Sequence, residues 1–285
     1  MTNPPTRITR RDFLAKTAQA GIAVSTAGPV LIMSGCVGLQ TVPAVEHRHV
    51  IQSRCIGCGQ CLSLCPMGAI ALAGKSSINP DECVECGVCW RSRVCPVDAI
   101  QPGLLRWPRT LREQFSNPMG EHKSTGVAGR GTEETKTNDS QHRYERGSIG
   151  VLVELGRPVL GARFFDVEKV LKKFKANGYE LVQDNPVVDL IADPKTGVMK
   201  PEVLREKIIS CVVEFVMPER DAGKLLVLVH ELEQEVQTVF NISVALRANE
   251  DGTSSFDRLF GANTFRLPWA KVNLGIATGI RVKEV

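Results

Sequence analysis

The chain has 285 residues and carries 35 Lys and Arg against 31 Asp and Glu, a formal net charge of +4. Aromatic residues make up only 5% of it, so it lacks the aromatic and basic stripe on which single-stranded nucleic acids stack, and we expect no nucleic-acid partner. Eight of the ten cysteines lie between Cys55 and Cys95. Thiols clustered in this way indicate metal binding, whereas a disulfide scaffold would spread them along the chain.

The first 36 residues resemble a twin-arginine export signal. Arg10 and Arg11 are followed closely by Phe13 and Leu14, and then by a mildly apolar run rich in Ala and Gly. Because Gly and Pro interrupt this run, it is marginal as a membrane-spanning helix. The resemblance implies export of the folded protein to the periplasm or to the extracytoplasmic face of a membrane. The alternative is an N-terminal amphipathic helix of a cytosolic protein.

Residues 32–36, Ile-Met-Ser-Gly-Cys, resemble a lipobox, in which a small residue precedes the cysteine that receives lipid. The resemblance implies that Cys36 becomes the lipidated N-terminus and anchors the protein to a membrane without spanning it. The alternative is ordinary cleavage after the small residues Val-Pro-Ala that end at Ala44.

Two sets of four cysteines follow, each ending in Cys-Pro. They are Cys55-x2-Cys58-x2-Cys61-x3-Cys65 and Cys83-x2-Cys86-x2-Cys89-x5-Cys95. The first spacing is that of the bacterial ferredoxins, in which three cysteines wrap one face of a cubane and the fourth ligates the other cluster. This resemblance implies two [4Fe–4S] clusters with crossed ligands. Cluster one is assigned to Cys55, Cys58, Cys61 and Cys95, and cluster two to Cys83, Cys86, Cys89 and Cys65.

The segments 54–72 and 82–101 echo each other around these cysteines, which predicts a ferredoxin-type module with pseudo-two-fold symmetry. The resemblance to dicluster ferredoxins covers about a fifth of the chain and implies a carrier of single electrons. The alternative is structural zinc, which pairs of Cys-x-x-Cys also bind. A zinc site does not explain why both sets contain a third cysteine after another two-residue gap.

The gap from Cys89 to Cys95 has five residues where the family has three. We expect this insertion to form a loop beside cluster one that leaves ligation intact. It carries Arg91 and Arg93, whose positive charge favours the reduced, more negative cluster and raises its reduction potential.

Residues 107–148 are rich in Gly, Ser, Thr, Asn and charged residues, and this composition predicts a linker. The alternative is a functional loop in which backbone amides near three glycines cradle an anion, with Arg130 and Lys136 supplying charge. The three glycines are Gly126, Gly129 and Gly131.

The remainder of the chain, residues 149–285, alternates strand and helix patterns and predicts an α+β domain. Strands are predicted at 149–155, 179–183, 187–192, 208–217 and 239–247. Asp166 is predicted to cap the first helix. The two helices are expected to bury Val167, Val170, Leu171 and Phe174, and Leu225, Val229, Leu232 and Val236.

Residues 211–244 resemble an ACT-type ligand-sensing unit, in which a strand leads into a helix start bearing Gly223 and out to a second strand. Residues 150–182 match the same plan more loosely, so tandem ACT-like or ferredoxin-like βαββαβ units are one arrangement. The resemblance implies small-molecule binding or a homodimer formed through the sheets. A docking or structural domain is the alternative.

The sequence therefore divides into a signal with a lipobox (1–36), a dicluster domain (45–106), a linker (107–148) and an α+β domain (149–285). We find no nucleophile–base pair, paired carboxylates or dinucleotide fingerprint, so no catalytic residue is predicted. Cys211 is expected in the core and His230 on the surface.

Three functional hypotheses follow from these segments. The first is an exported electron carrier that serves redox partner proteins as a subunit or accessory of a respiratory oxidoreductase. The second is a redox- or ligand-responsive binding protein whose C-terminal domain senses a small molecule. The third is a subunit that contributes directly to the active site of a partner chain.

The variant Cys36→Ser tests the lipobox. Without a thiol there is no acceptor for lipid, so we expect the protein to move from the membrane fraction to the soluble extracytoplasmic fraction. The control Ser34→Ala keeps a small residue and should stay on the membrane. Unchanged fractionation of Cys36→Ser would defeat the lipobox interpretation.

Overall fold

The computed structural model describes residues 45–132, 143–251, 253 and 255–261. The predicted export signal and lipobox lie outside these residues, as does Lys136 of the glycine-rich loop. All of the described residues fall in one structural unit. Within them, no helix combines the length and apolar character needed to cross a membrane.

The cysteine-rich part consists of two short antiparallel ladders joined by loops. Its first strand pairs with its last, and its two middle strands form a hairpin, so the loops that carry cysteines are held between paired strands. Its elements are β1 (His49–Val50), a 3-10 turn (Leu62–Leu64), β2 (Ile70–Ala73), β3 (Lys75–Ile78), α1 (Val88–Arg91) and β4 (Ile100–Gln101).

The segment predicted as a linker contains a helix, α2 (Thr110–Ser116), which corrects that prediction for this part of the segment. Leu111 and Phe115 are only 2% and 3% exposed and belong to the main hydrophobic core. The ring of Phe115 meets that of Phe164 edge-on, with centroids 5.3 Å apart. Because the segment's few apolar residues stand four apart, they share one helix face, a pattern that overall composition conceals.

The part that follows is α+β, as predicted. Its 3-10 turns are Val188–Leu190, Pro201–Val203 and Glu219–Asp221. Its helices are α3 (Phe164–Ala176), α4 (Ala222–Glu235) and α5 (Phe256–Phe260). Its strands are β5 (Ser148–Leu155), β6 (Ala162–Arg163), β7 (Glu180–Leu181), β8 (Ile191–Asp193), β9 (Val198–Met199), β10 (Lys207–Ile208), β11 (Cys211–Pro218) and β12 (Phe240–Ala245).

Four of these strands form an antiparallel sheet in the order β12-β5-β11-β7. In chain order this is 4-1-3-2, with α3 following the first strand and α4 the third, which is the split βαββαβ arrangement. The two β-α-β rounds seen in the sequence therefore interleave in one sheet. Among the described residues they form a single unit and not a tandem pair.

Both long helices cover the same face of this sheet. Alternate residues of β5 and β11 join the core beneath them, as the period of two in a strand requires. Phe174 of α3 stacks on Phe215 of β11 with centroids 4.2 Å apart. Cys211 is fully buried in this core, as predicted, and burial raises the pKa of its thiol to about 12.

The other face of the sheet carries two buried carboxylates that are paired with arginines. Glu154 is 3.1 Å from Arg130, and Glu214 is 3.4 Å from Arg143. These pairs offset the cost of removing the carboxylates from water. Arg130, proposed above as an anion ligand, already forms an ion pair with a carboxylate.

Two local expectations are corrected by side-chain hydrogen bonds. Asp166 does not occupy the cap of α3, which falls at Arg163; its Oδ1 accepts from Gln237 N at 2.9 Å, tying the helix to the loop before β12. The strand predicted at 187–192 begins instead as a 3-10 turn, because Asn185 Oδ1 accepts from Val187 N at 3.0 Å. His230 is exposed, as predicted.

The variant Phe115→Ala tests whether α2 belongs to the core. Removing a fully packed phenylalanine should lower the free energy of unfolding by about 3–5 kcal/mol, measured by urea denaturation followed by circular dichroism. The matched control is Met119→Ala in the same segment, where the side chain is 76% exposed and we expect a change within about 0.5 kcal/mol. Equal effects of the two variants would restore the linker interpretation.

Candidate metal centres

A first cavity lies between the first cysteine loop and the segment before β4. Four cysteines line it: Cys55, Cys58, Cys61 and Cys95. The rest of the lining is apolar or neutral, with Gln60 and Ser76 as its polar residues. Cys58 is exposed, and its neighbour Ile56 is 63% exposed, so this cavity reaches the surface of the protein.

A second cavity lies beside the second cysteine loop. Its four cysteines are Cys65, Cys83, Cys86 and Cys89. Three of them are about 8% exposed, so more of the thiols are buried here than in the first cavity. Arg48 also lines it, together with apolar residues that include Met67 and Ile78.

The structure thus brings together the two crossed sets that the resemblance implied. Cys65 follows the first three cysteines in the chain but lines the cavity of the second three, and Cys95 does the reverse. In each case the Cys-Pro turn carries the fourth cysteine away from its own loop.

Backbone amides point at the sulfur atoms with the same pseudo-two-fold symmetry. Ala69 N lies 3.2 Å from Cys65 Sγ, and Ala99 N lies 3.2 Å from Cys95 Sγ. Ser76 N approaches Cys55 Sγ at 3.4 Å, and such bonds lower the pKa of the Cys55 thiol. Amide donors stabilise negative charge on sulfur, which is what metal thiolates and reduced clusters require.

Two glycines are required by the loops around the cavities. Gly57 has φ of +72°, and a Cβ there would lie 2.1 Å from the carbonyl oxygen of Gly74. Gly87 has φ of +73°, and a Cβ there would lie 2.3 Å from Arg91 Nη1. A side chain at Gly57 would clash with backbone, one at Gly87 would displace the end of Arg91, and both would strain a backbone with positive φ.

Burial affects the pKa values of thiols in the second cavity more strongly than those in the first. It raises the pKa of Cys83 to about 12 and that of Cys89 to about 11, and it raises the pKa of Cys86 as well. Thiolates in the second cavity therefore need a positive centre to stabilise them, as bound iron would supply.

The spacing of the side chains also bears on the zinc alternative. A tetrahedral zinc site brings its sulfur atoms within about 3.8 Å of one another, as Zn–S bonds of about 2.3 Å dictate. Among the described residues, no three His, Cys, Asp or Glu side chains converge closely enough to hold one metal ion. Four cysteines line each cavity, which is the number that a cubane requires, since each of its corner irons takes a separate thiolate.

A buried ion-pair network surrounds the second cysteine loop, and it was not predicted from the sequence. Glu85 lies between Cys83 and Cys86, is fully buried and has φ of +55°. Its carboxylate accepts from Arg109 at 2.7 Å and from the backbone N–H of Arg48 at 3.2 Å. The available signal was the repeat itself, which places Glu85 where the first loop has glycine.

The five-residue gap between Cys89 and Cys95 lies next to the second cavity as well as the first. Arg91 Nη2 donates to the carbonyl of Cys86 at 2.6 Å, so its charge is held against the second cysteine loop. Arg93 is exposed. The expectation that both arginines act on cluster one is therefore revised: Arg91 contacts the loop of the second set.

The cysteine-rich part also contacts the α+β part through Arg112 of α2. Its Nη1 donates to the carbonyls of Pro80, Asp81 and Cys83 at 2.8–3.0 Å, and its Nε lies 2.5 Å from Glu206. One buried guanidinium thus fixes the backbone that enters the second loop. Lys207 pairs with Glu82 in the same region.

Comparison with known proteins shows similarity in this cysteine-rich part. The family model described as a 4Fe-4S dicluster domain matches residues 54–99. A ferredoxin of Rickettsia felis is 34% identical over 79 residues, 24% of this chain and 67% of that protein. Ferredoxin-1 of Caulobacter vibrioides is 40% identical over 58 residues, 19% of this chain and 49% of that protein.

A ferredoxin of Saccharopolyspora erythraea is 49% identical over 41 residues, 14% of this chain and 37% of that protein. The chain therefore spans half or less of the length of the last two relatives. The residues of the α+β part lie outside the segment that the family model matches.

Two double variants test the crossed sets. Cys65→Ala with Cys86→Ala removes two ligands of one cavity and should leave one cluster, about half of the wild-type iron. Cys65→Ala with Cys58→Ala removes one ligand from each cavity and should lose both clusters. Iron and acid-labile sulfide analysis distinguishes them, and the opposite result would show that Cys65 serves its own loop.

Proposed function

Since this chain belongs to the ferredoxin family, we propose that it relays single electrons between redox partner proteins on two [4Fe–4S] clusters. When bound, each cluster supplies a site that accepts and releases one electron. The proposal names Cys55, Cys58, Cys61 and Cys95 as the ligands of cluster one, and Cys65, Cys83, Cys86 and Cys89 as those of cluster two.

The observation that carries this proposal is the partition of eight cysteines into two cavities, four in each. Neither set is continuous in sequence, so the partition arises from the fold. It supports clusters whose ligands come from both halves of the module.

The protein's own groups prepare these cavities for an added electron. The amides of Ala69 and Ala99 donate to cysteine sulfur, and the apolar lining keeps water away. Both features bear on the reduction potential of a cluster. The exposed Cys58 supports cluster one as the point of exchange with partners, because electron transfer needs close approach. Three of the four cysteines assigned to cluster two are buried.

The cellular location of the protein is part of the proposal. Arg10 and Arg11 support twin-arginine export, and Cys36 supports a lipid anchor on the extracytoplasmic face of a membrane. There the carrier would act as a subunit or accessory of a respiratory oxidoreductase. Export of a folded chain suits a protein whose clusters are built before it leaves the cytoplasm.

Small-molecule sensing by the C-terminal domain stays a prediction, as does a homodimer formed through its sheet. The sheet face opposite the helices carries Glu154 and Glu214, which are paired with arginines. The contacts of Arg112 and Lys207 instead support a role of this domain in bracing the second cysteine loop.

Anaerobic reconstitution of the full chain tests the proposal. We expect about eight irons and about eight sulfides per chain, since each cubane contains four of each. Reduction should produce two interacting paramagnetic clusters in low-temperature electron paramagnetic resonance, and voltammetry should show two reversible one-electron steps. A diamagnetic protein loaded with zinc would overturn the proposal.

A further inference from the structure

Arg48 is a buried cation with unsatisfied donors beside the second cavity. Its residue exposure is only 4%, and it lines the cavity with Cys65, Cys83, Cys86 and Cys89. Its Nε and Nη1 atoms are buried without a hydrogen-bond partner among the described residues. Buried donors of a charged group are costly when unsatisfied, so their retention indicates that something else accepts from them.

The nearest carboxylate does not satisfy these donors. Glu85 Oε2 is 3.7 Å from Arg48 Nε, close enough for electrostatic attraction but too far for a hydrogen bond. Glu85 Oε1 already accepts from Nε and Nη2 of Arg109, at 2.9 and 2.7 Å. The guanidinium is oriented instead by Trp90, whose ring centroid lies 5.7 Å from Arg48 Cζ.

The guanidinium also lies close to the second cysteine loop. Its Nη2 is 3.5 Å from the position that a Cβ on Gly87 would occupy. Of the residues that line the second cavity, Arg48 is the charged one, and the lining of the first cavity contains no Arg or Lys. The arginines nearby act differently, since Arg91 and Arg112 donate to backbone carbonyls of the loop.

We propose that the Arg48 guanidinium donates hydrogen bonds to sulfur atoms of the cluster in the second cavity and raises its reduction potential. This inference rests on the proposed function. A charge-assisted bond is strongest to the more negative acceptor, so it favours the reduced state. Because Arg48 is buried, solvent and salt screen its charge little.

The direct test is a redox titration of the full, reconstituted chain followed by electron paramagnetic resonance. In Arg48→Gln we expect the reduction equilibrium constant of one cluster to fall about tenfold, which is about 59 mV for a one-electron couple. The other cluster should keep its potential. Unchanged potentials, or an equal shift of both clusters, would overturn the proposal.

The matched control is Arg106→Gln. It removes the same charge from a side chain that is 68% exposed. Arg106 is paired with Glu46, which lies two residues before Arg48 in the sequence. Screening by solvent should leave both potentials at their wild-type values. A shift as large as that of Arg48→Gln would show a general charge effect and would count against a specific hydrogen bond.

Pulsed paramagnetic resonance of protein grown with 15N-arginine provides a readout that a structural role alone would not produce. We expect a weak nitrogen coupling to one reduced cluster in the wild type and its loss in Arg48→Gln. If Arg48→Gln cannot retain the second cluster, Arg48→Lys keeps the charge, loses the guanidinium nitrogens and gives the same comparison. A coupling that persists in these variants would overturn the proposal.

The outcomes also separate this inference from the function on which it rests. A wild-type chain that assembles no iron–sulfur cluster would refute the proposed function. A wild-type chain with two clusters whose potentials are insensitive to Arg48 would refute only the role of Arg48.

Discussion

The structure depends on one constraint, that each cavity draws its four cysteines from two separated stretches of chain. Cys65 must leave its own loop and reach the second cavity, while Cys95 must reach the first. The paired strands around the loops make this exchange possible, because β1 and β4 bring the ends of the module together. The glycines with positive φ and the sulfur-directed amides follow from the same requirement.

The two halves repeat in sequence but differ in their electrostatic surroundings. The first cavity opens to the surface near Ile56 and Cys58. Three of the four cysteines of the second are buried, and the buried Glu85 lies beside it with its arginine partners. Since burial raises the pKa of Cys83 and Cys89, the second site depends more on nearby positive charge. Pseudo-symmetry of the backbone thus coexists with marked asymmetry in charge.

The cysteine sets were predictable because ligand spacing is a local property of sequence, and each fourth cysteine is marked by the proline after it. Helix α2 was not predictable from composition, because its core residues Leu111 and Phe115 lie among polar residues in the sequence. The role of Arg112 was hidden for a different reason. Its carboxylate partner, Glu206, is 94 residues away in sequence, and no local pattern reports such a pair.

The α+β part shows the same division between local and long-range information. Its long strands and helices follow their apolar periodicity, which the sequence displays. Asp166 is of a residue type that often caps helices, yet its carboxylate accepts a hydrogen bond from the backbone N–H of Gln237, 71 residues away. The interleaving of two β-α-β rounds in one sheet likewise depends on strand pairing over long separations.

The exchange of the fourth cysteines also sets an order of synthesis. As the chain emerges from the ribosome, the second cavity has its full set of thiols once Cys89 appears, whereas the first waits for Cys95. The site encoded first is therefore completed last. Arg112 of α2, which fixes the backbone that enters the second loop, arrives later still, so the second site has its ligands before it has the contacts that hold its loop.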